Sequence, residues 1–287
     1  MKKTLSFIIL FLMSIVVSFG QDEGNSLLWK VSGNGLEESS YLYGTFHLLC
    51  PDQLQLSEKV KKAVGKSEQL VLELDFGDPA VMQTIQQNMA YRDGTTAKDY
   101  LSEEEYQIVS NFFRDSMQLP FEQMQSIKPF FLSSMTIIHF LNCQPGSFEQ
   151  VLANEAQGKN IEVVGLETVQ DQLTFVESIP FDKQKRMLVE NLEDYEDSKK
   201  MFDKMVELYL NEKLYGLNSL MEEYMEDDYA DLQQNMLIKR NKRWVPDIKE
   251  KISQKASFIA VGAGHLPGEE GLIKLLKEEG YTVEAVY

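Results

Sequence analysis

Ser257–Val286 reads SFIAVGAGHLPGEEGLIKLLKEEGYTVEAV. Ser257–Val261 is an apolar run of strand length, GAGH a tight glycine-containing turn, Glu269–Glu279 a helical pattern and Tyr281–Val286 a second strand. A strand–helix–strand connection of this length predicts a parallel pair. Near the other end, Ser26–Ser32 (SLLWKVS) and Ser40–Phe46 (SYLYGTF) are β-rich runs joined by the turn-forming NGLEES, which predicts a hairpin. A helix over Ser57–Lys66 follows, then a short strand, Leu70–Leu74, that closes on Asp75. Both ends of the chain therefore supply strands.

The middle is mostly helical. Ser102 and Glu105 form a capping box ahead of a helix to about Met117, and Pro129 begins the apolar helix FFLSSMTIIHFLN. A helix from Ser147 to about Gln157 leads into the strand Ile161–Gly165. Asp182–Gln254 is long, charged and helical, and its acidic cluster between Met221 and Asp231 reads as a solvated face. No repeat and no Gly/Ser linker divides the chain. The expected fold is α/β: one domain over 21–287, its mixed central sheet built from both ends of the chain, with a large helical insertion at about 79–255.

Residues 1–20 stand apart. Lys2 and Lys3 precede a thirteen-residue apolar run, Leu5–Val17, and Ser18 and Gly20 are small residues ahead of Gln21. This is the pattern of a cleaved secretory signal peptide, which predicts an exported protein, periplasmic or extracellular, with no membrane span after cleavage. A net charge of −17 argues against a grip on nucleic acid, whose phosphates need Lys and Arg. Two cysteines are too few for a thiolate zinc cluster. In an oxidising compartment Cys50 and Cys143 read as a disulfide. The alternative is a nucleophilic Cys50, three residues after His47.

The chain has three histidines. Gly44-Thr45-Phe46-His47 ends the second strand and Gly262-Ala263-Gly264-His265 ends a late one, each a Gly-x-x-His where a strand gives way to a turn. In α/β sheets, ligands bind beyond the carboxyl ends of the strands. Glu73 and Asp75, at the end of a third strand, point to one face by strand alternation. Two imidazoles and a carboxylate at strand ends are the inventory of a hydrolytic divalent-metal site with a place for water. Against this stand plainer readings: a turn or core histidine, and Glu73 as an exposed strand residue or salt-bridge partner. His139, inside MTIIHFLN, reads as a hydrogen-bonded core residue. The chain has no G-x-S-x-G elbow and no Walker loop, and Pro267 stands where a dinucleotide fingerprint needs its third glycine.

The segments LLWKVSGNG, SYLYGTFHLL, VLELD, VVGLET, IKRNKRW and FIAVGAGHLPGEEGLIKLLKEEGYTVEAVY together resemble the TraB/GumN family over Leu27 to Tyr287. That family looks related to the Tiki proteins, membrane-tethered metalloproteases that clip the N-terminus of Wnt ligands. It also shares an α/β architecture with erythromycin esterases and the haem-binding ChaN proteins. The resemblance implies a site of His47, Glu73 and His265, with Arg240 as the accompanying arginine and Glu167 in a further family motif. His47 and His265 would bind a divalent metal (Mn²⁺, Co²⁺ or Zn²⁺), and Glu73 would be the third ligand or the base. Arg240 would stabilise the oxyanion. The expected function is a metal-dependent hydrolase, a peptidase first, acting on a peptide or small-molecule substrate. The alternatives are a metal-free, esterase-like hydrolase and a non-catalytic peptide- or haem-binding protein. Because a signal peptide replaces the Tiki membrane tether, Wnt-like cleavage at a membrane is not carried over.

Overall fold

Residues whose side chains are buried on both faces form the inner strands, and half-buried alternating runs form an edge. In the computed structural model, which describes residues 24–75, 78–224 and 233–287, six strands make one sheet. They are β1 (Leu28–Ser32), β2 (Ser40–Thr45), β3 (Gln69–Leu72), β4 (Glu162–Gly165), β5 (Ser257–Gly262) and β6 (Thr282–Ala285), in the order β4-β3-β5-β2-β1-β6. Four neighbours, β4, β3, β5 and β2, run parallel, and β1 is antiparallel to both β2 and β6. The expected signal peptide and most of the acidic cluster lie outside the described residues.

The α/β reading holds: a mixed sheet built from both ends of the chain carries a mainly helical excursion. One pairing is corrected. β5 and β6 run the same way but are not neighbours, because β2 and β1 lie between them. β5 is an unbroken apolar strand that is buried along its length and needs a partner on each side, and β3 and β2 fill those places. β6 buries Val283 but exposes Thr282 and Glu284, the pattern of an edge strand, and it pairs with β1. β4 lies inside the span read as insertion and forms the opposite edge.

The helices are α1 (Glu58–Val64), α2 (Pro79–Asn88), α3 (Glu103–Asn111), α4 (Pro129–Phe140), α5 (Phe148–Gly158), α6 (Val169–Ser178), α7 (Phe181–Glu193), α8 (Tyr195–Leu210), α9 (Leu214–Tyr224), α10 (Lys239–Gln254) and α11 (Leu272–Glu278). The Ser102–Glu105 capping box forms in both directions, with the Glu105 N–H donating to Ser102 Oγ at 3.2 Å and the Ser102 N–H to Glu105 Oε2 at 2.7 Å. Leu42, Leu70, Leu72, Phe258 and Ile259 are fully buried on the sheet, each stabilising by roughly 1.5–3 kcal/mol. Val109, Phe113, Phe121, Leu132 and Leu188 form a second cluster joining α3, α4 and α7 within the excursion. His139 is not sealed in a core; it is half-buried and packs against the rings of Phe112 and Tyr195. Among the described residues no helix is long and apolar enough to cross a membrane.

Cys50 and Cys143 are bonded, with their Cα atoms 5.9 Å apart. This excludes the nucleophilic reading of Cys50, whose sulfur is not a free thiolate. The bond joins the loop after β2 to the turn after α4, where Leu49 and Gly146 also exchange backbone hydrogen bonds of 3.1 and 2.9 Å. The loop that carries His47 is thereby fastened to the segment leading into α5. The bridge closes a loop with a sequence separation of 93. Replacing both cysteines by Ser should cost about 2–4 kcal/mol in urea unfolding. Thiol titration of the unfolded, unreduced protein should find no free thiol, and finding two would disprove the bond.

Candidate functional site

The sheet register explains why residues far apart in sequence meet. β2 and β5 pair in parallel with Gly44 opposite Val261 and Thr45 opposite Gly262, so the two Gly-x-x-His turns leave the sheet side by side. β3 lies on the other side of β5 with Leu72 opposite Ala260, which places Glu73 at the same edge. Beyond it β4 ends at Gly165, and the Glu167 N–H donates to the Glu73 carbonyl at 2.9 Å. His47, His265, Glu73 and Glu167 thus follow the carboxyl ends of four adjacent parallel strands, the position where α/β sheets bind ligands. Arg240 enters from the first turn of α10.

The centre of the site is a hollow over Gly262. A Cβ on Gly262 would lie 3.3 Å from Glu73 Oε1, 3.3 Å from His47 Nε2 and 3.6 Å from His265 Cδ2. Glu73 is buried; Oε1 accepts the Gly262 N–H at 2.7 Å and Oε2 accepts Arg240 Nη2–H at 2.5 Å. Burial alone would raise its pKa, but the nearby Arg240 and the two imidazoles outweigh this and hold the carboxyl at about 2. Glu73 is therefore an ionised acceptor throughout the neutral range.

The two histidines are held in opposite states. His265 is buried, and burial together with the Arg240 cation lowers its pKa to about 3 despite Glu73. Its tautomer follows from its partners. Arg240 Nη1, which can only donate, faces His265 Nε2 at 3.3 Å, so the proton sits on Nδ1 and is donated to Asn241 Oδ1 at 2.6 Å. Asn241 in turn donates through Nδ2 to the carbonyls of His265 and Glu270, which fixes its amide orientation. The Trp244 ring packs on the imidazole with centroids 4.5 Å apart. His47 presents 58% of its side chain to solvent, and its Nδ1 lies 2.9 Å from Glu149 Oε1. Packing at the cleft would lower its pKa, but the Glu149 carboxylate raises it to about 9.

Glu149 was not readable as a site residue. It is an acidic residue in the first turn of α5, where acids are common for helix-dipole reasons. In the fold it is buried, and its Oε1 also accepts from Thr45 Oγ1 at 2.5 Å. Its Oε2 is buried with no hydrogen-bond partner among the described residues. Asn241 did carry a signal, since it adjoins Arg240 in IKRN.

Arg240 is buried with all five N–H groups committed: Nε and Nη2 to Glu167 at 3.0 Å each, Nη2 also to Glu73, and Nη1 to the Met236 carbonyl and His265 Nε2. Its guanidinium stacks on Trp244, 4.6 Å from the ring centroid. Glu167 is the anchor behind it, accepting also from Trp244 Nε1 at 2.9 Å and Arg243 Nη2 at 2.5 Å. β3 ends at Leu72, so strand alternation no longer governs Glu73 and Asp75, and Asp75 is half-buried and does not line the cleft.

A divalent cation suits the donor types present. His47 Nε2, Glu73 Oε1 and the Cδ2 edge of the His265 ring border the hollow, His265 Nε2 lies 3.8 Å from Glu73 Oε1, and each imidazole has its Nδ1 held by an oxygen acceptor behind it, the arrangement that orients metal-binding histidines. The donors are not drawn into a ready-made cage; among the described residues no three His, Cys, Asp or Glu side chains meet at metal-binding distances. Arg240 Nη1 rests on the His265 lone pair that a cation would use.

No curated protein and no solved structure matches this chain. The model of the TraB/PrgY/gumN family matches residues 27–285, nearly the whole chain, so the chain belongs to the TraB/PrgY/gumN family.

Proposed function

We propose that the protein is an exported hydrolase, a peptidase before any other kind, that works with a divalent metal such as Mn²⁺, Co²⁺ or Zn²⁺ held by His47, Glu73 and His265. The observation that carries this reading is the convergence of His47 Nε2 and Glu73 Oε1 on the hollow over Gly262, with His265 beside them. When bound, the cation supplies a Lewis acid and lowers the pKa of water. Glu149 holds His47 with its Nε2 at the hollow, and Asn241 fixes the His265 ring beside it with its Nε2 toward Arg240 and Glu73. Ionised Glu73 contributes negative charge there as the third ligand; with its pKa held at about 2 by Arg240, it is too weak a base to be the proton acceptor as well. Arg240 has one N–H, on Nη1, that is spent on His265 Nε2 and turns to a substrate oxyanion when that lone pair is otherwise engaged. The Cys50–Cys143 disulfide supports export, since such bonds persist in oxidising compartments.

A metal-free acid/base hydrolase is the second reading, favoured by the buried Glu149 behind His47, a pairing that suits a proton-carrying imidazole. Metal content and turnover decide between them. The purified mature chain should retain divalent metal in stoichiometric amount, and His47→Ala and His265→Ala should each lose both metal and hydrolysis. Full turnover after exhaustive chelation would transfer the chemistry to the His47–Glu149 pair.

A further inference from the structure

The cavity that opens onto the site is not polar throughout. It encloses about 220 Å³, and His47, Glu73 and Arg240 form only part of its lining. Apart from Gln172 the rest is apolar, chiefly Ile85 from α2, Phe130 and Phe131 from α4, and Leu173, Phe175 and Val176 from α6. All but Leu173 are half-buried rather than sealed in a core, so they keep apolar surface turned to the cavity. Phe175 also faces the Arg240 guanidinium, 5.7 Å from its ring centroid, so this wall begins where the charged site ends. Gln172, on the same helix, donates to Glu73 Oε2 at 3.4 Å, which ties the position of α6 to the reacting centre.

Apolar surface left open beside a charged centre is costly unless something covers it, and a substrate side chain does so at each turnover. The size narrows the choice. Pockets that hold whole drug-sized ligands measure roughly 300–1,000 Å³, so this one takes a single bulky side chain and not a haem. Its continuity with Glu73 and Arg240 places that side chain next to the bond being attacked.

We propose that Ile85, Phe130, Phe131, Leu173, Phe175 and Val176 form a specificity subsite for one large apolar residue, aromatic or branched aliphatic, adjacent to the scissile bond of a peptide substrate. This rests on the hydrolase reading for the word scissile and on the cavity alone for the preference. In an apolar pocket one methylene discriminates by about 10–200-fold, so Phe or Leu at that position should exceed Ala by at least about tenfold in kcat/KM.

The test uses the mature chain and capped peptides that differ at one position, Gly, Ala, Asp, Leu or Phe. Turnover is read by mass spectrometry and equilibrium binding by competition against a fluorescent Phe peptide. Ile85→Trp, on a half-buried helix position, should fill the cavity and erase the preference for Leu and Phe. Phe131→Ala should enlarge it and shift the preference toward the larger residue. A binding preference without cleavage supports the subsite while removing the hydrolase reading. Cleavage with equal rates for Ala, Leu and Phe keeps the hydrolase and overturns the subsite. So does a preference that neither substitution changes. Peptides neither bound nor cleaved overturn both.

Discussion

Glu167→Ala should lower stability by about 3–5 kcal/mol, the cost of breaking a buried ion pair by removing one partner. Glu167 is buried and accepts from Arg240 Nε and Nη2, Arg243 Nη2 and Trp244 Nε1. Removing it strands the Arg240 guanidinium in a buried place with Glu73 as its remaining carboxylate, and leaves the buried Trp244 N–H without its acceptor. An orphaned buried donor adds about 1–3 kcal/mol of desolvation cost, which falls within the same total. For a chain of this size the melting temperature should fall on the order of 10 °C.

The cost arises from the stranded guanidinium charge, more than from the hydrogen bonds that Glu167 no longer accepts, so a second substitution tests the cause. Arg240→Met in the Glu167→Ala background removes the stranded cation but leaves buried Glu73 without its partner, so it should recover only part of the stability, still less destabilised than the two single losses added together. Arg243 contributes less, because its side chain is 46% exposed and screened by solvent. Thermal and urea unfolding of the two single variants and the double variant measure the coupling. A Glu167→Ala protein that melts within about 2 °C of wild type would show that the Arg240 cluster is not a structural anchor.

Much of this arrangement was legible in sequence because it is written in local chemistry. The two Gly-x-x-His turns, the LVLEL strand with its glutamate and the SFIAV run each signal a strand end, and the parallel register of β2, β5 and β3 then brings them together. The disulfide was one of two readings that the cysteines left open, and the 5.9 Å separation of their Cα atoms settles it. What sequence did not hold is partner choice across the fold. The crossover from β5 through α11 to β6 suggested neighbours, yet the alternating exposure of β6 suits an edge, and β1 was the edge on offer. Glu149 looks like any first-turn acid until α5 is fastened beside His47 by the Cys50–Cys143 bond. Phe130 and Phe131 open an apolar helix with nothing local to say that they line a cavity beside Glu73 and Arg240. In each case the missing information is which elements pack together, which no local pattern encodes.

Two glycines of the motifs do different work, and one methyl at each should separate folding from function. Gly44 permits close packing: a Cβ there would lie 3.0 Å from the Ala263 Cα and 3.0 Å from Leu266 Cδ1, both in the turn that follows β5. Gly44→Ala should therefore destabilise by about 1–3 kcal/mol through overpacking. Gly262 has φ −49° and ψ 135°, a conformation alanine adopts without strain. Its new methyl would meet side-chain atoms only, at 3.3 Å from Glu73 Oε1 and His47 Nε2, and so push apart the groups that define the hollow. Gly→Ala at a compatible backbone position stabilises by about 0.4–1 kcal/mol through the unfolded state, which offsets the crowding. Gly262→Ala should melt close to wild type, yet weaken metal retention and lower hydrolysis by roughly tenfold, because the methyl sits in the hollow and its neighbours must give by a few tenths of an ångström, less than the ångström that costs about 10²-fold. A Gly262→Ala protein that keeps both metal and turnover would move the reacting centre away from the hollow. One that loses them only together with its stability would reduce Gly262 to a packing residue like Gly44.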